Sequence, residues 1–121
     1  MKEQKVVDVK RMDWFCRPTS TTGKMFGQKR LVEDPDMGMS IVMNRYPAGF
    51  TTERHRHPAA HGFYVLSGQI RSNDEYYGPE TVIWYEEGCI AEHGANAYED
   101  LICLQISNKH FSIEYMDREM N

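Results

Sequence analysis

The stretch FTTERHRHPAAHGFYVLSG, residues 50–68, carries three of the five histidines in the chain. Its first half reads as a strand, so His55 and His57 share one face, about 6.5–7 Å apart. Arg54 and Arg56 take the other face, while Thr51 and Glu53 lie on the histidine side. Pro58 ends this strand, since a ring nitrogen has no hydrogen to give to a ladder. AAHG then turns the chain into a second strand, where His61 opens the run and faces back at the first pair. On the parity of that strand Phe63 and Val65 point inward, and Tyr64 and Leu66 outward.

Two imidazoles on one strand can chelate a metal if a neighbouring strand supplies more ligands. Locally the same pattern fits hydrogen-bonded core histidines or a polar strand end. The cluster is internal and interleaved with apolar residues, which excludes an expression tag. A fourth histidine, His93 in EEGCIAEHGAN, follows a later glycine turn, far enough along for a small antiparallel barrel to return it across the interior. His110, in NKHFSI, reads as a surface residue at a strand edge.

The 121 residues fit one domain, with 40% hydrophobic and 12% aromatic residues to form a core. A net charge of −4 leaves no basic face to displace counterions from phosphates, so no nucleic-acid partner is expected. No apolar run approaches the roughly 20 residues of a membrane span. The opening MKEQKVVDVKRMDWF shows no apolar leader core, so no secretory signal is expected. Cys16, Cys89 and Cys103 are far apart and odd in number, which argues against a disulfide framework and suits a cytoplasmic setting.

Short β-type segments cut by turn residues run through the whole chain. KVVDV alternates, WFCRPTSTTG reads as a loop, and the mixed-charge run GQKRLVEDPD reads as a solvated turn. Strand candidates follow at MSIVMNRY, FTTERHRH, GFYVLSG, QIRS, EYYGPE, TVIWYEEG, CIAEHGAN, LICLQIS and FSIEYMD. About nine or ten strands at intervals of about 8–12 residues predict an all-β sandwich or barrel. Residues 1–121 form a single domain on this reading, with 1–39 an N-terminal strand and loop extension and 40–115 the barrel region. KVVDV and FSIEYM are candidate edge strands, and a homodimer built by hiding such edges is expected.

These residues resemble the cupin superfamily. Its first motif, G-x5-H-x-H-x3-4-E-x6-G, is met in full spacing by Gly49, His55, His57, His61 and Gly68. The departure is His61, which stands where most cupins carry glutamate. The second motif is met loosely by Gly78, Gly88, His93 and Asn96, with a glutamate replacing the usual proline. The resemblance covers roughly residues 40–108. It implies a double-stranded β-helix, or jelly-roll, barrel with His55, His57 and His93 as metal ligands. His61 carries over by position, as a fourth ligand or as a base beside the metal. The wording around the histidines is similar to that of histidine-only dioxygenases and of zinc-binding sensor cupins of anti-sigma factors.

Imidazole donors suit one divalent transition metal, Fe2+ or Zn2+ foremost and Ni2+ or Cu2+ after them, and disfavour Mg2+ and Ca2+. Neutral ligands leave the ion its full charge, which attracts a small oxygen-chelating compound such as a diketone or hydroxyketone. The expected activity is that of a metal-dependent, dioxygenase-type oxidoreductase, with Glu53 as its catalytic base or as an acceptor for an imidazole N–H. Glu53 reads equally as an exposed strand-end carboxylate. The rival expectation is a non-catalytic metal or small-ligand sensor, favoured by the fourth histidine and by the lack of a clear acid–base pair. A sugar-phosphate isomerase fits less well, because Arg45, Arg54 and Arg56 form no phosphate clamp. Trp84, Tyr85 and Phe63 read as cavity lining or plain barrel core, and Cys89 shares the face of His93 on unbroken parity.

Overall fold

The computed structural model describes residues 3–19, 23–109 and the backbone of 114–115. A 3-10 turn at Val9–Arg11 leads into strands β1 (Phe15–Pro18), β2 (Met25–Glu33), β3 (Ser40–Tyr46) and β4 (His55–Arg56). Next come β5 (His61–Ser67), β6 (Ile70–Ser72), β7 (Glu75–Tyr77) and β8 (Val82–Tyr85). The last four are β9 (Ile90–Ala91), β10 (His93–Ala95), β11 (Leu101–Ser107) and β12 (Glu114–Tyr115).

All pairings are antiparallel, in a six-stranded sheet ordered β1-β2-β3-β11-β5-β8 and two three-stranded sheets, β10-β6-β7 and β12-β4-β9. The two small sheets face the large one and close the jelly roll. Across that interface the ring of Phe63 on β5 lies 4.8 Å from His93 on β10, and Tyr85 on β8 bonds Ser72 on β6. Between the sheets Tyr46, Phe50, Phe63, Val65, Ile70, Leu101 and Cys103 form the core. The strand parity expected for β5 holds: His61, Phe63 and Val65 are buried and Leu66 is exposed.

Five local readings are corrected. GQKRLVEDPD is not a solvated turn, because its first seven residues lie in the nine-residue strand β2 and only DPD turns. Charge misleads here. Lys29 is buried, its Nζ donating to the Val9 carbonyl at 2.9 Å and lying 4.6 Å from the Trp14 ring centroid. The N-terminal segment thus covers the outer face of β2 and gives the ammonium polar company. KVVDV is not a strand, since residues 5–8 carry no ladder and Val9 enters the 3-10 turn. WFCRPTSTTG is not wholly loop: Phe15–Pro18 pairs with Met25–Gln28, its Pro on the edge strand where a missing N–H is tolerated. FTTERHRH keeps only two ladder residues, and CIAEHGAN splits into β9 and β10, which raises the strand count to twelve among the described residues.

Gly94 sets one close approach that matters for the site. A Cβ there would lie 2.1 Å from the Phe50 carbonyl oxygen and 2.8 Å from Thr51 Cα. Only a glycine lets the 50–52 segment press against β10, and that contact, with the Thr51–Gly94 bridge, fixes where His93 sits.

Candidate metal centre

His55 and His57 come from β4 and the residue just beyond it, His61 opens β5 and His93 opens β10. All four are buried, at 1%, 0%, 0% and 5% exposure. Three of them, His55, His57 and His93, offer nitrogens that all lie within 4.8 Å of one another. Their ring centroids stand 4.3 Å apart for His55 and His57, 5.2 Å for His55 and His93, and 6.1 Å for His57 and His93. His61 falls outside this trio. Its ring sits 4.4 Å from that of His57 and lines the same cavity.

Backbone carbonyls fix the ring orientations. His55 Nδ1 lies 2.7 Å from the Glu53 oxygen, His57 Nδ1 2.9 Å from that of Cys89, and His61 Nδ1 3.0 Å from that of Ala59. A carbonyl can only accept, so each Nδ1 carries the proton and each Nε2 presents a lone pair. The Cys89 oxygen also accepts the backbone N–H of His57 at 2.9 Å, so the turn after β8 grips this residue twice. Thr52 clasps His93: its Oγ1 accepts the His93 N–H at 3.2 Å and its own N–H donates to the His93 carbonyl at 2.9 Å.

Two buried nitrogens of the trio, His57 Nε2 and His93 Nδ1, have no hydrogen-bond partner. A buried polar atom left bare costs about 1–3 kcal/mol, which a bound cation would offset. Burial holds the His57 imidazole down at about 3, and burial likewise lowers His55, His61 and, most of all, His93. All four rings are therefore neutral near pH 7, the form that ligates. Tetrahedral bonds of about 2.05 Å put donors about 3.3 Å apart, so side-chain shifts of about an ångström bring the trio onto one ion. The donor set and the bare nitrogens fit a divalent transition metal.

Behind the trio, Tyr85 stacks on His57 at 4.6 Å and 9°, and its hydroxyl shares a 2.6 Å hydrogen bond with Ser72. Burial pushes the Tyr85 phenol up to about 12, so it stays neutral. Trp84, its neighbour, is exposed on the outer face, which removes it from the cavity. Cys89 contributes its carbonyl to His57, and burial pushes the Cys103 thiol up to about 12, leaving it inert. Glu53 supplies a backbone oxygen to His55, and from this segment Thr52 rather than Glu53 lines the cavity. The alternation expected over residues 51–57 breaks before β4, which separates Glu53 from the histidine face. His110 lies outside the described residues.

In front of the trio opens a cavity of about 920 Å3. His55, His61 and His93 form part of its wall, together with Phe26, Tyr46 and Phe50. Sequence reasoning missed the polar part of the wall, Arg17, Gln28, Gln105 and Ser107, because it comes from strands β1, β2 and β11, which carry no motif.

The pattern of the ChrR cupin-like domain matches residues 2–112. The chain belongs to this family. Its fold is also that of solved cupins of low sequence identity. The polyketide cyclase RemF from Streptomyces resistomycificus is 16% identical with a TM-score of 0.76, the match covering 94% of this chain and 86% of that one. An RmlC-like cupin protein from Ralstonia eutropha JMP134 is 19% identical, TM-score 0.73, over 98% of this chain and 83% of the other. A match at 19% identity and TM-score 0.65 comes from the complex of Rhodobacter sphaeroides SigE with the anti-sigma ChrR, covering 83% of this chain and 51% of that one. At these identities the likeness establishes the fold. A search of curated proteins returned no match. No helix among the described residues is long and apolar enough to cross a membrane.

Proposed function

We propose that this ChrR-type cupin holds one divalent transition metal on His55, His57 and His93 and acts as a dioxygenase-type oxidoreductase on a small diketone or hydroxyketone. The observation that carries the reading is the position of two of the trio, His55 and His93, at the wall of a 920 Å3 cavity rather than in a sealed core. A small molecule has room to reach the histidines. Iron bound there would supply Lewis acidity toward a carbonyl or enolate oxygen and a redox partner for O2. The chain's own residues orient the three rings through the Glu53 and Cys89 carbonyls and the Thr52 clasp, and Phe50 and Phe63 exclude water beside them. His61 stands at the cavity wall next to His57, within reach of a proton on a bound ligand.

The test is oxygen uptake by iron-loaded protein with 2,4-pentanedione and with hydroxyacetone. Uptake that depends on the diketone or hydroxyketone and is lost in His57→Ala supports the reading. Tight zinc with no uptake favours a second reading, a metal or small-ligand sensor. One observation speaks for it: a fourth buried imidazole stands beside the trio, and no carboxylate of the 51–57 segment lines the cavity.

The homodimer belongs to the same proposal, through edges other than those expected. Val82, Trp84, Leu66 and Ile106 are exposed on the outer face of β8, β5 and β11, and β8 is a free edge of the large sheet. The Trp84 ring lies over Gly62, where a Cβ would come within 2.6 Å of it. A second copy would cover this apolar strip.

A further inference from the structure

A line of side-chain hydrogen bonds crosses the inner face of the large sheet. Arg17 Nη1 donates to Gln28 Oε1 at 2.9 Å, Gln28 Nε2 to Asn44 Oδ1 at 3.0 Å, and Asn44 Nδ2 to Gln105 Oε1 at 2.7 Å. Asn44 Nδ2 also reaches the Tyr46 hydroxyl at 3.3 Å. The arginine fixes the direction of every bond. A guanidinium can only donate, so Gln28 must turn its oxygen toward Arg17 and its nitrogen toward Asn44. Asn44 must then accept on one side and donate on the other, which turns the oxygen of Gln105 inward. Gln105 is left presenting its NH2 group, whose hydrogens meet no acceptor among the described residues.

Both ends of the line therefore offer donors. Arg17 spends one N–H on Gln28 and meets no carboxylate among the described residues. The acidic groups of the same cavity are engaged elsewhere: Glu33 pairs with Arg30, and Asp34 Oδ1 caps the turn at Asp36 and Met37. Arg17, Gln28 and Gln105 line the cavity with His55, His61 and His93. Register brings the donor end close to the histidines. Gln105 pairs with Phe63, whose ring touches His93, and Ser107, two residues on, pairs with His61.

We infer that the Gln105 end of this line, with the Arg17 charge set behind it through Gln28 and Asn44, is a docking subsite for the carboxylate of a small oxo-acid whose ketone oxygen faces the histidine centre. The inference rests on the metal reading above and narrows its substrate class from neutral diketones to monoanionic keto acids. An acidic chain of net charge −4 has placed a cation and a donor amide on the wall of a cavity whose bound ion would add a further +2. That combination selects an acceptor-rich anion and rejects neutral analogues.

The experiment uses the full chain loaded with Zn2+, which binds oxygen donors without turnover, and pyruvate, acetoacetate and levulinate, each against its methyl ester. Binding is followed by calorimetry and by the NMR signals of the Arg17 guanidinium and the Gln105 side-chain amide. At least one acid should bind tenfold or more tightly than its ester and shift both signals. Arg17→Gln keeps a donor for Gln28 and so preserves the line while removing the charge. It should lose the acid preference and leave Zn2+ affinity unchanged. Gln105→Glu still accepts from Asn44 but presents an anion, and should also weaken the acid tenfold or more. The same acids titrated into metal-free protein separate the two claims. Shifts at Arg17 and Gln105 without any Zn2+ binding would sink the metal reading and keep the subsite. Equal affinity for every acid and its ester, or an acid preference that survives Arg17→Gln, overturns the subsite.

Discussion

The imidazole of His57 lies flat on the phenol of Tyr85, ring centroids 4.6 Å apart and planes 9° from parallel. Cys89 holds the same imidazole by its Nδ1, so the ring is fixed in plane by one contact and in orientation by the other. Tyr85→Phe keeps the stack and removes the bond to Ser72, and should cost about 1 kcal/mol in urea unfolding with metal affinity unchanged. Tyr85→Ala opens a cavity behind the ring, and should cost about 3–5 kcal/mol and weaken metal binding as well. Equal metal affinity in both variants would show that the stack does not position His57.

The close approach at Gly94 predicts a second contrast. Gly94→Ala sets a methyl 2.1 Å from the Phe50 oxygen and must push β10 from the 50–52 segment, taking His93 with it. The expected loss is about 2–4 kcal/mol, with reduced metal affinity. Gly78→Ala meets nothing within 4 Å and should stay within about 0.5 kcal/mol of the parent. Denaturation midpoints for the pair decide this.

Acid should destabilise the metal-free protein early. Burial holds the folded His57 at about 3 and shifts His55, His61 and His93 in the same direction. The unfolded chain takes up these protons near about 6.5. Below that pH the unfolded state binds more protons, so stability falls as pH falls, by up to about 1.4 kcal/mol per unit for each ring, until the folded values are reached. Above about 6.5 these groups contribute no slope. Urea midpoints should be level between pH 7 and 8 and drop steeply from pH 6.5 to 5. A flat profile across that window would show that the rings are solvated.

The exposed strip on β8 and β5 predicts a dimer in light scattering coupled to gel filtration. Trp84→Lys, on the outer face, should give a folded monomer. An unaltered mass would place the interface elsewhere.

The legible parts of the sequence were those where one physical signal dominates. In β5 the alternation of His61, Phe63 and Val65 with Tyr64 and Leu66 gave faces that the structure reproduces, since burial on one side sets parity. The histidine spacing led to the buried trio through a resemblance whose motif spans both strands. Failures came where distant partners override local character. Lys29 made β2 read as solvent-exposed until Val9 and Trp14 are seen to cover it. The Arg17–Gln105 line was invisible because its members come from four strands, β1, β2, β3 and β11, and acquire direction only when paired.

Cobalt titration of metal-free protein tests the central claim most directly, because its visible spectrum reports both stoichiometry and donors. One Co2+ per chain should bind with bands of a nitrogen-donor site. Affinity should fall by about a hundredfold or more in His57→Ala and in His93→Ala, and by only about tenfold in His61→Ala, whose ring packs on His57 outside the trio. No binding, or binding undiminished in His57→Ala and His93→Ala, would contradict the account.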